Sequence, residues 1–148
     1  MGDTRPFSVA TVKDGIVESD ETFTVTLTDG GAKTYDTDTG TIENSDTATF
    51  SVVDSSALES AGSVDFDVQL DSDVATGVSV TVNYKTAGAT ATEGTDYTDA
   101  TGVLTFTGGS IGDTQSLPVT VTNDDIVETN ETFTLTLTDG GATTYDTA

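Results

Sequence analysis

Residues 131–137 read Glu131-Thr132-Phe133-Thr134-Leu135-Thr136-Leu137, and residues 21–27 read Glu21-Thr22-Phe23-Thr24-Val25-Thr26-Leu27. In both stretches every second side chain is apolar and threonine fills the gaps. A period of two marks a strand with one face buried and the other wet. Threonine suits the wet face, being β-branched and polar. Working outward, Val64, Phe66, Val68 and Leu70 alternate with Asp65, Asp67 and Gln69. Val78, Val80, Val82 and Tyr84 alternate with Ser79, Thr81 and Asn83. Shorter runs are Ala48-Phe50-Val52, Leu104-Phe106 and Leu117-Val119-Val121. No stretch sustains a helical period. Asp29-Gly30-Gly31, Gly108-Gly109 and Asp139-Gly140-Gly141 punctuate the pattern as turns. Short strands separated by such turns predict an all-β chain folded as an antiparallel β-sandwich.

Composition narrows the chemistry. The 148 residues hold 26 acids and four bases, for a net charge of −22, with no histidine and no cysteine. Only 34% of residues are apolar, which raises the question of disorder. The alternation answers it, because scattered apolar residues would show no period. Disulfides, thiolate or imidazole metal sites, Ser-His-Asp triads and cysteine nucleophiles are all excluded. Nucleic acid is a poor partner, since only Arg5, Lys13, Lys33 and Lys85 are present to neutralise phosphate. An anionic membrane surface is disfavoured for the same reason. No apolar run reaches the length of a membrane span, and no basic, apolar leader opens the chain. The expectation is no membrane insertion in this segment, with any secretion signal outside this chain.

The chain repeats itself. Asp14-Gly15-Ile16-Val17-Glu18-Ser19-Asp20-Glu21-Thr22-Phe23 recurs, offset by 110 residues, as Asp124-Asp125-Ile126-Val127-Glu128-Thr129-Asn130-Glu131-Thr132-Phe133. The match runs on through Leu27 to Ala32 and Thr34 to Thr37. A period near 110 is the size of one sandwich domain rather than a solenoid repeat. Residues 1–46 are therefore read as the closing three strands of one repeat. Residues 47–148 are read as a near-complete repeat lacking its final strand, the one that Asp38 to Asn44 supplies in the first copy.

These residues resemble the Calx-beta domain family, named for calcium-binding regulatory domains of sodium/calcium exchangers and found also in long bacterial surface proteins. The resemblance rests on Tyr84-Lys85-Thr86-Ala87-Gly88-Ala89-Thr90-Ala91, Gly94-Thr95-Asp96-Tyr97 and Gly102-Val103-Leu104-Thr105-Phe106. It continues in Asn123-Asp124-Asp125-Ile126-Val127-Glu128, Glu131-Thr132-Phe133 and the closing Gly40-Thr41-Ile42-Glu43-Asn44. It implies an immunoglobulin-like sandwich of seven strands per repeat, with Ca²⁺ held among loops at one end. The strands would be about 47–54, 63–70, 78–86, 102–107, 115–122 and 131–138, with 38–44 as the last strand of the preceding repeat.

Ca²⁺ takes six to eight oxygens, mostly carboxylate and carbonyl. In such a sandwich, the connections holding Glu59, Asp96 and the Asp124, Asp125, Glu128 group gather at the same end. By resemblance, Glu59, Asp96, Asp124 and Glu128 match liganding positions. Asp125 serves instead of, or beside, Asp124, and Ile126 offers a carbonyl. Asp14 and Glu18 are the corresponding acids of the first copy, which lacks counterparts of Glu59 and Asp96; by resemblance Asp46, just after the Asp38 to Asn44 strand at the junction of the two copies, is a further candidate ligand. The charge pattern alone is equally what solvated acidic loops would give.

Other chemistries fare worse. Asp38-Thr39-Gly40 spells an aspartic-protease triplet, but those enzymes need two such aspartates and no second triplet exists. Paired carboxylates for glycoside hydrolysis lack an aromatic-lined cleft, and Tyr97 reads as core packing. Asn130-Glu131-Thr132 is a formal glycosylation sequon. The expectation is a non-catalytic, Ca²⁺-binding repeat of an extracellular or bacterial cell-surface stalk or filament. Its partners are neighbouring repeats, or identical subunits joined through Asp38 to Asn44. A carbohydrate- or protein-binding adhesin module is the alternative.

Overall fold

The inner strand β4 (Ser63–Leu70) shows how the alternation becomes a core: Val64, Phe66, Val68 and Leu70 are buried while Asp65 and Asp67 face water. In this computed structural model, residues 4–124 and 126–139 are described. The chain runs β1 (Glu21–Thr28), β2 (Thr34–Ile42), β3 (Phe50–Val52), a single 3₁₀ turn (Glu59–Ala61) and β4. It continues through β5 (Val74–Gly88), β6 (Thr101–Gly109), β7 (Thr114–Thr120) and β8 (Phe133–Asp139). Two three-stranded antiparallel sheets form the second repeat, in the orders β3-β4-β7 and β6-β5-β8. β1 and β2 form a separate antiparallel hairpin.

The two sheets meet through their inward side chains. Phe50, Val52, Leu117 and Val119 join the β4 residues on one side, and Val82, Phe106, Leu135 and Leu137 oppose them. Phe50 and Phe106 lie 5.4 Å apart across this core, and Phe66 meets Phe133 edge-on at 5.9 Å. Thr86 shares the inward parity of β5 and is also buried. It hydrogen-bonds Asp99 Oδ1 at 2.6 Å and accepts the Ala100 amide at 2.8 Å, so its own hydroxyl is satisfied. Pro118 sits on the sheet-edge strand β7, where a missing amide costs no ladder bond. Gly102 faces Tyr84 in the ladder, and a Cβ there would come within 2.6 Å of the tyrosine hydroxyl. That is the physical content of a glycine opening the Gly102-Val103-Leu104 strand.

The predicted strands at 63–70, 102–107, 115–122 and 131–138 match β4, β6, β7 and β8 to within two residues at either end. Three differ more. The 47–54 strand shrinks to Phe50–Val52, the only residues that pair with β4 there. The 78–86 strand starts early, at Val74, because that residue pairs with Gly109 across a bulge that Gly77 (φ +86°) accommodates. The 38–44 strand starts at Thr34, since the β1–β2 ladder closes up to Thr28↔Thr34. Of three closing strands expected within 1–46, two form. Residues 4–20 hold no strand beyond one isolated bridge at Val17. In the second repeat β7 pairs with β4, and residues 1–46 contain no counterpart of β4 for such a strand to join.

The repeat supplies an internal comparison of burial. Leu135 is fully buried, whereas its counterpart Val25 is only partly so. Leu135→Ala should destabilise the protein by about 2–5 kcal/mol. Val25→Ala should cost less than about 1 kcal/mol. Urea denaturation of both variants, followed by fluorescence or circular dichroism, checks the contrast. Equal losses would mean that the first-copy hairpin is packed as tightly as the sandwich.

Candidate metal centre

One end of the sandwich is built by backbone bonds between three connections. The amide of Val121 donates to the Gly62 carbonyl (3.1 Å), and the amide of Thr122 donates to the Asp96 carbonyl (2.8 Å). The Thr132 carbonyl accepts amides from Ala89, Thr90 and Ala91 at 3.2, 3.0 and 2.9 Å. Tyr97, buried as expected, stacks on Phe133 with ring centroids 4.6 Å apart. The segments after β3, β5 and β7 therefore meet around a cavity of about 720 Å³. Leu58, Val64, Tyr97 and Phe133 give it an apolar floor, and Glu59, Asp96, Glu128 and Glu131 an acidic rim.

Carboxylate oxygens of Asp96, Glu128 and Glu131 lie within 4.8 Å of one another. The turn 92–96 fixes Asp96, whose Oδ2 accepts the Thr92 amide at 2.6 Å. Asp124 starts the third connection in an Asx turn, its Oδ1 accepting the Ile126 amide at 2.8 Å. No lysine or arginine lines this cavity. The electrostatic result is visible in the two glutamates. Partial desolvation, and then the charges of Asp124, Asp96 and Glu59, raise the Glu128 carboxyl above its ordinary value of 4.5. A hydrogen bond to Asp96 raises Glu131, with desolvation and the charges of Asp96, Glu128 and Glu59 adding to it. Two ionised carboxylates share no donor, so that bond needs a proton on one of them.

Three of the acids singled out in the sequence, Glu59, Asp96 and Glu128, line this cavity. Asp124 is close enough for its charge to act on Glu128. Asp125 lies outside the described residues. Glu131 belongs to the inner cluster although its motif was read only as a strand opening. Its signal was present: the repeat keeps it as Glu21 while its neighbour changes from Asp20 to Asn130. Asp14, Glu18 and Asp46 gather elsewhere, around a cavity of about 110 Å³ that Glu21, Glu43 and Asn44 also line. There Lys13 pairs with Asp46 at 3.3 Å, and Asn44 Oδ1 accepts the amides of Glu18 and Asp46.

The donor set fits a hard cation. Three carboxylates offer up to six oxygens, Ca²⁺ takes six to eight, and the chain has no cysteine or histidine.

A family model described as the Calx-beta domain matches residues 2–56 and 41–146. Among solved structures, the apo form of the Calx CBD1 domain is 27% identical, with a TM-score of 0.51. The match covers 60% of this chain and 82% of that one. The Calx CBD2 domain is 28% identical, with a TM-score of 0.52 and coverage of 60% and 54%. The calcium binding domain CBD12 of CALX1.1 is 26% identical, with a TM-score of 0.46, and is covered over 40% of its length. No curated protein matches.

The raised glutamates set a pH dependence for the metal-free protein. Each binds its proton more tightly folded than unfolded. The stability they contribute is thus fully present below the ordinary glutamate value and is lost as pH rises through their raised folded-state values. Thermal melts in chelator should therefore show Tm rising as pH falls from neutrality toward 4.5. Glu131→Gln should flatten that rise. A wild-type profile that falls over the same range would contradict the crowding.

Proposed function

The chain belongs to the Calx-beta domain family, and from that membership we propose that it is a non-catalytic, calcium-binding structural repeat of an extracellular stalk or filament. The observation that carries this reading is the carboxylate cluster of Asp96, Glu128 and Glu131 with no basic side chain beside it. Asp96, Glu128 and Glu131 are the inner ligands, and Glu59 and Asp124 complete the oxygen set from the rim. The ion does no chemistry on a substrate. It neutralises the acids that three separate connections bring together, so binding and loop order are one event.

The magnitude suits a structural role. A ligand at about ten times its Kd adds roughly 1.4 kcal/mol, a sizeable share of a marginal domain's stability. Extracellular modules hold Ca²⁺ with Kd of about 10⁻⁴–10⁻³ M, within reach of millimolar surroundings. A second copy of the repeat in the same chain favours a spacer whose length grows by duplication, as in bacterial surface proteins.

One observation favours a second reading, assembly of identical subunits. β2 holds β1 across a long antiparallel register, and β1 and β8 are near-identical in sequence. A strand like Asp38 to Asn44 from another molecule therefore suits the side of β8 that β5 does not occupy. Such head-to-tail exchange is heterologous and builds open fibres. Light scattering that shows a monomer at every concentration would overturn it.

For the principal reading, millimolar Ca²⁺, about 1–10 times such a Kd, should raise Tm over chelator by roughly 2–8 °C. Mg²⁺ should do far less, because it demands a tighter octahedron. Asp96→Asn combined with Glu131→Gln should abolish the Ca²⁺ shift. A wild-type melt indifferent to Ca²⁺ would overturn the proposal.

A further inference from the structure

Val17 and Val127 hold the same place in the repeat and have opposite surroundings. Val17 is buried, 7% exposed, against the start of β5 in the second repeat. Its amide donates to the Asp73 carbonyl at 2.9 Å, and the Ala75 amide donates back to the Val17 carbonyl at 3.0 Å. That is a parallel bridge to Val74, itself a core residue. Ile16, beside it, is half-buried. The counterparts stand in water: Ile126 is 64% exposed and Val127 is 98% exposed.

A lone exposed valine is ordinary. This one differs because the same chain shows what its repeat mate is bound to. We propose that the Ile126-Val127 corner is a docking element for a second copy of this chain's own 47–139 unit. It seats on the Asp73–Ala75 edge of that copy as Ile16-Val17 seats here.

Three observations support it. The two loops carry the same Asx hydrogen bond, from the Ile16 amide to Asp14 (3.1 Å) and from the Ile126 amide to Asp124 (2.8 Å). The socket is a strand edge whose Asp73 carbonyl and Ala75 amide are satisfied by main-chain groups, so it reads backbone and a small apolar side chain, both of which Val127 supplies. Three replacements around the corner change its charge, Lys13 to Asn123, Gly15 to Asp125 and Asp20 to Asn130, and Lys13 pairs with Asp46 rather than with the socket. The joint within this chain is thus continuous with the one proposed between copies.

The test uses the full chain and the full chain continued in register by a second run of its own residues 39–139, with amide hydrogen exchange read by NMR. The Val17 amide should be protected in both proteins. The Val127 amide should exchange freely in the chain and slow by roughly 100-fold in the extended protein. Val127→Asp in the extended protein should remove protection from Ala75 of the added unit. A freely exchanging Val127 in a folded extended protein, or a freely exchanging Val17 in either, overturns the proposal. Should the extended protein not fold, the full chain carrying Val17→Asp leaves its own Val74 edge open. A peptide of residues 122–130 at millimolar concentration should then shift the Ala75 amide, and the same peptide with Val127→Asp should not. Identical spectra with both peptides would overturn the proposal.

Discussion

The acidic end of the sandwich is pinned by Thr132. Its carbonyl takes three amides from 89–91, and its own amide donates to Thr90 Oγ1 at 2.7 Å. These bonds tie the residue before β8 to the exit of β5, and the stack of Tyr97 on Phe133 closes the floor beneath. Glu131 is thereby held beside Asp96, a position that two carboxylates would not choose for themselves. Like charges at this spacing repel, and that repulsion adds to desolvation at Glu128 and to the hydrogen bond with Asp96 at Glu131 in raising both carboxyls. The cluster is placed by hydrogen bonds and apolar packing, then left with a charge that the chain does not balance.

The two repeats meet that charge differently. Around Asn44 the first copy has its own cation, Lys13, against Asp46. At the equivalent place in the second copy stands Asn123, which lines the larger cavity without neutralising it. A surface ion pair contributes little to stability in water, so Lys13 is better understood as a local counter-charge than as a brace. The second cluster has no base among its lining residues. Its balance has to come from protons or from an ion in solution, and the first option is what its pKa directions express.

Much of this was legible in the chain because period-two patterning fixes which side chains share a face. Val64, Phe66, Val68 and Leu70 needed no structure to be placed inward. The convergence of Glu59, Asp96, Asp124 and Glu128 was legible only through connectivity and family resemblance, since no local spacing joins residues so far apart. Glu131 escaped because strand parity says where a side chain starts and not how far a loop carboxylate reaches. The early start of β5 escaped as well: Val74 is drawn into the ladder by Gly109 and Val17, partners invisible to a window of residues around position 74.

The repeat shows why pattern and burial are separate quantities. Phe133 stacks between Tyr97 and Phe66, whereas Phe23 lies over Gly40 on a hairpin without a second sheet. Leu137 is buried and its counterpart Leu27 is 55% exposed. The local sequence is the same in each case, so it determines the face a side chain presents. What covers that face is decided by residues distant in the chain, such as Tyr97 and Phe66 for Phe133. Val17 and Val127 carry the point from the core to the joint between repeats. One alternating stretch can serve as core in one copy and as contact surface in another, with no change in its own code.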